Sequence, residues 1–82
     1  MTRELQEYYE NYFSLFETKG WKEFQKDIEE AADTIDILNL KDAKELHIAQ
    51  GQLQILNRLL NWKDTMTSTY DTILQEDADE II

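Results

Sequence analysis

The stretch WKEFQKDIEEAADTIDIL, residues 21–38, decides the fold class. Trp21, Phe24, Ile28, Ala31, Ile35 and Leu38 recur at spacings of 3, 4, 3, 4 and 3, the seam of a packed helix. The positions between them are mostly Lys, Glu, Asp and Gln. Thr18 is placed to cap the start of this helix, and Asn39 suits its end. A second seam follows: Leu46, Ala49, Leu53, Leu56 and Leu60. Asp42 and Glu45 form a D-x-x-E capping box at its start. The link 39–42 is short enough to force an antiparallel hairpin. The seams share one register, since Ile35 with Leu46, Ile28 with Leu53 and Trp21 with Leu60 have a constant sum of residue numbers. An all-α protein is therefore predicted, with an antiparallel helical hairpin over about 19–38 and 42–62 or beyond.

Working outward, the helix from 42 carries a second apolar stripe: Ile48, Ile55, Leu59, Trp62, Met66 and Ile73. One hairpin cannot bury both stripes. An aromatic N-terminal helix is available as cover, with Leu5, Tyr8, Tyr9, Tyr12, Phe13, Leu15 and Phe16 on a wide face. Two arrangements fit. The helix folds back to make a three-helix bundle. Alternatively it runs on as a long hairpin whose aromatics meet Met66, Tyr70, Ile73 and Leu74. The long hairpin leaves the second stripe open and implies self-association. The expected interaction residues are Tyr8, Tyr9, Tyr12, Phe13, Phe16, Ile55, Leu59, Trp62 and Met66.

The chain has 82 residues, so one domain is expected, over residues 1–75. Residues 76–82 form an acidic tail with no periodic stripe and are expected to fray. No cysteine is present, which excludes disulfides and Cys-based zinc sites. No run reaches the ~18 apolar residues of a membrane span, and no signal-peptide pattern opens the chain. The net charge of −10, from 18 acids and 8 bases, opposes direct contact with nucleic acid.

That charge is uneven. Residues 1–18 carry net −3, residues 19–63 net −1 and residues 64–82 net −6. Nine of the ten excess negative charges thus lie in the two terminal segments. Acids on a helical surface commonly do no more than keep it solvated. Concentrated at one pole, they would instead suit a basic partner.

Sites of chemistry are sparse. His47, the sole histidine, lies off the Leu46/Leu53 seam and reads as a surface residue. Ser14 and Ser68 sit in no nucleophile motif. Glu29, Asp33 and Asp36 face away from the seam, and no Glu stands three before His47, so a bundle carboxylate metal site is not expected. Trp21 and Trp62 read as packing residues rather than a ligand clamp. Gly51 either permits close approach of another helix or is simply tolerated. No enzyme, cofactor or metal is predicted.

The segments TKGWKEF (18–24) and QGQLQILNRLLN (50–61) carry a likeness. They resemble small helical proteins encoded by tailed bacteriophages, with a G-W-K helix start and a later Q-G-x-L-x-x-L-x-x-L-L-N helix. The resemblance covers about residues 18–62. It implies a viral origin and a non-enzymatic role. The expected function is structural, in the virus particle or its assembly, through contacts with itself or other phage proteins. The alternative is an acidic inhibitor that occupies the basic nucleic-acid-binding surface of a host protein. The expected location is the virion or the host cytoplasm, with no membrane contact.

Overall fold

A computed structural model describes residues 1–81, with the side chains of residues 1–79. It contains four α-helices: α1 (Arg3–Phe16), α2 (Lys19–Asp33), α3 (Ala43–Leu60) and α4 (Trp62–Ile81). The protein is all-α, and α2 and α3 form the antiparallel hairpin.

The starts of α1, α2 and α3 are each fixed by a side chain. Thr2 accepts from the Leu5 amide, Thr18 from Trp21 and Asp42 from Glu45, each taking a donor that the first turn leaves unpaired. Glu45 reaches back to the Lys41 amide at 2.9 Å, one residue before the cap, completing the box.

The end of α2 differs from the sequence expectation. The helix stops at Asp33, not near Asn39, and residues 37–39 form a single 3-10 turn. Local polar chemistry wins there. Thr34 donates its hydroxyl to the Ala31 carbonyl, and Asp36 accepts from the Leu38 amide two residues on. Asp36 thereby offers the backbone an alternative to the helix. No base stands in the last turn to favour its carbonyls.

The seam of α2 is also turned relative to the expected one. Trp21, Gln25, Ile28, Ala32 and Ile35 are the half-buried positions, while Phe24 and Ala31 are exposed and Leu38 is 94% exposed. Gln25 takes the inward place because its side-chain amide donates to the Leu59 carbonyl at 3.2 Å, tying the two arms together. On α3 the expected seam holds: Ala49 is buried, and Leu46, Leu53, Leu56 and Leu60 are half-buried.

Between α3 and α4 the chain bends without breaking. The Asn61 amide bonds the Asn57 carbonyl at 3.0 Å, and the Thr65 amide bonds the Asn61 carbonyl at 2.9 Å. Residues 43–81 at ~1.5 Å each would span about 58 Å. The long dimension of the molecule is 57 Å, so α3 and α4 run end to end. The threonines of α4 are accommodated by back-bonding: Thr67, Thr69 and Thr72 donate to carbonyls four residues earlier at 2.8–2.9 Å.

Glu17 and Thr18 separate α1 from α2, with Thr18 extended. Beyond this break α1 packs on α4. The long hairpin is therefore the arrangement adopted. The fold-back bundle, with α1 laid along the α2/α3 hairpin, is not. The described part of the tail is helical: α4 runs to Ile81, and half-buried Asp77 pairs with the Met1 amino group. Ile82 and the side chains of 80 and 81 lie outside the described residues.

Candidate interaction surface

The core sits at the open end of the hairpin, between α1 and α4. Tyr9, Phe16 and Met66 are buried there. Leu5, Tyr12, Phe13, Trp21, Trp62, Tyr70 and Ile73 pack around them. The rings interlock: Phe13 meets Tyr70 edge-on at 5.1 Å, Tyr9 lies 5.3 Å from Tyr70 and Phe16 lies 4.8 Å from Trp21. Such pairs add ~0.5–1.5 kcal/mol each beyond area burial.

This core absorbs most of the residues read from sequence as an interaction surface. Tyr9, Phe16 and Met66 are 3–5% exposed. Tyr12, Phe13 and Trp62 are half-buried against them. Leu59 is half-buried as well. Tyr8 at 47% and Ile55 at 62% remain open. The physical reason is that α1 and α4 have no other apolar cover, so each fills the other's face. A long hairpin does not leave the whole second stripe open, as the sequence suggested. It covers the half on α4.

The uncovered half lies on α3. Its Ile48 is 54% exposed and its Ile55 62% exposed. They lie on the same line of the near-continuous α3–α4 rod as Trp62 and Met66, which α1 covers. On α2, Phe24 at 41% and Ala31 flank the seam. At 100° per residue, these flanks are reached by turning the same way from each seam. In an antiparallel pair, such flanks fall on one face of the hairpin. Ile35, Leu40, Ile48 and Ala49 line an open groove of about 340 Å³ on it, and Asp36, Glu45 and Gln52 give it a polar side.

The opposite face is polar. Lys22, Lys26 and Glu29 on α2 and His47, Gln50, Gln54 and Asn57 on α3 are exposed. A second groove of about 390 Å³ lies at the waist, with Trp21, Phe16 and Leu60 in its wall. Lys22, Lys26 and Lys63 line it, offset by Glu29 and Asp64. Among the described residues no group of three or more His, Asp or Glu is placed to hold a metal ion, and no helix is long and apolar enough to cross a membrane.

Tyr8 stands at the exposed edge of the aromatic group on α1. Its phenol is pushed above the usual tyrosine range by loss of surrounding water first, then by Tyr12 and Tyr9. The three form an edge-to-face run, with centroids 5.2 Å and 5.3 Å from Tyr8.

The chain matches no protein-family model, no curated protein and no solved structure.

The exposure of Phe24 and the inward turn of Gln25 were hidden from sequence reasoning. Both sit at adjacent positions of a wide apolar sector, where periodicity alone cannot choose the exact facing line.

Proposed function

We propose that this protein works without enzymatic chemistry, through protein–protein contacts, as a structural or assembly component of a virus particle. One observation carries the contact reading. The apolar stripe that α1 covers on α4 continues along α3 as Ile55 and Ile48, both more than half exposed. Exposed apolar surface that is contiguous and rimmed by polar residues marks an interaction site. The viral setting rests on the likeness of residues 18–62 to small helical proteins of tailed bacteriophages. Mass spectrometry of purified particles tests it. Recovery at defined stoichiometry supports the reading, and absence from particles opposes it.

A second reading has its own support. Because α1 packs on α4, the terminal segments with nine of the ten excess negative charges share one end of the molecule. Such a pole suits a basic surface, such as the nucleic-acid-binding face of a host protein. A pull-down from infected cells separates the readings. Capture of such a protein that weakens steeply with salt favours the inhibitor.

A further inference from the structure

We propose that two copies of this chain pair antiparallel through the apolar face of the α2/α3 hairpin, the one bearing Phe24, Ile48 and Ile55. This rests on the protein–protein reading above and names the partner as a second copy. Two hairpins stacked face to face make a four-helix layer, the ordinary way for amphipathic helix pairs to bury a second apolar face.

The surface area asks for it. The single chain exposes 6677 Å². A compact monomer of 9.8 kDa would expose about 5,200 Å². The excess, about 1,500 Å² per chain, exceeds the ~800 Å² that a standard interface removes from each partner, so the surface is large enough for such a contact. The radius of gyration is 17.7 Å. A compact chain of this length would have ~12 Å. Within the hairpin, Ala49 is the sole buried residue, so α2 and α3 have little core of their own.

Charge selects the orientation. Residues 19–63 carry net −1, so two hairpins approach with little repulsion. The arms beyond them carry net −3 and net −6 at one end. A parallel pair would set both acidic ends side by side. An antiparallel pair, related by a two-fold axis across the hairpin, sends them to opposite ends.

Sedimentation equilibrium of the full chain at micromolar concentration is expected to give twice 9.8 kDa. Ile48→Asp and Ile55→Asp should each give a monomer with unchanged helical signal, because neither side chain is buried in the single chain. Leu74→Asp, on the other arm and 43% exposed, should remain a dimer. A wild-type monomer at high micromolar concentration overturns the inference, as does a dimer that survives both isoleucine changes. If the variants fail to fold, the wild type decides alone. Its melting temperature must rise with protein concentration, and a constant value overturns pairing. A monomer recovered from particles would overturn the dimer and leave the structural role standing.

Discussion

The indole of Trp62 meets the ring of Tyr12 edge-on, with centroids 6.1 Å apart, across the two arms of the hairpin. The contact joins the first residue of α4 to the middle of α1. It places Trp62 in the core rather than on an outer surface. Trp62 is half-buried, so Trp62→Ala should cost a large part of the ~3–5 kcal/mol lost in fully buried aromatic truncations. Small domains hold only ~5–15 kcal/mol in total. Trp62→Asp should unfold the chain, not merely separate copies. Chemical denaturation followed by circular dichroism is the check. A folded, stable Trp62→Asp protein would show that α1 does not depend on this contact.

Thr18 carries a different kind of weight. Its extended backbone separates α1 from α2, and its side chain accepts from the Trp21 amide at 3.1 Å. Its hydroxyl also donates to the Leu15 carbonyl at 2.7 Å, so one side chain serves the end of one helix and the start of the next. Thr18→Ala should destabilise by about 1 kcal/mol, the usual loss of an N-cap. Thr18→Ser should restore most of it. Equal stability of the alanine and serine variants would mean that the cap contributes nothing.

Tyr8 gives a pH dependence whose sign is fixed. Its phenol is raised above the ordinary value, by desolvation first and the neighbouring Tyr12 and Tyr9 next. A raised value means that the folded state holds this proton more tightly than the unfolded chain. The associated stabilisation is complete below about pH 10, the ordinary tyrosine value. It is lost as pH climbs through the folded value. Tyr8 is 47% exposed, so the effect is small. Tyr8→Phe should flatten the alkaline fall in stability, and ultraviolet titration should show one late-titrating tyrosine fewer. An unchanged alkaline profile in the variant would contradict this assignment.

The hairpin was legible because both seams repeat with helical period and meet in one register. The α3 seam and the caps at Thr18 and Asp42 were read directly. Three features lay beyond periodicity. The end of α2 depends on Asp36 capturing the Leu38 amide, a local competition that a stripe cannot report. The inward line of α2 depends on a long-range bond from Gln25 to the Leu59 carbonyl. The contact of Asp77 with the Met1 amino group joins residues 76 apart in sequence, which no local pattern reports. The candidate surface was half legible. The second stripe was visible as a line, but which part α1 would cover depends on the turn at Thr18. That turn places α1 over α4 and leaves Ile48 and Ile55 open.

Gly51 offers a test of the helical rod itself. It lies within α3, off the Leu46/Leu53 seam, and its backbone is not in the left-handed region. A Cβ built there would meet nothing within 4 Å, so no third helix approaches it in the single chain. Close approach, one of the two sequence readings, is therefore not what the glycine serves within the monomer. Glycine inside a helix costs ~1 kcal/mol relative to alanine, because the unfolded chain has more conformations to lose. Gly51→Ala should accordingly stabilise the single chain by ~0.5–1 kcal/mol. Gly51 stands three residues after Ile48 and four before Ile55 on α3, so the added methyl group borders the proposed face. Thermal and chemical denaturation of the variant, with its sedimentation mass, decide the matter. A destabilised Gly51→Ala protein would mean that another surface packs closely on α3 in solution, and a loss of the dimer would place that surface on the partner copy.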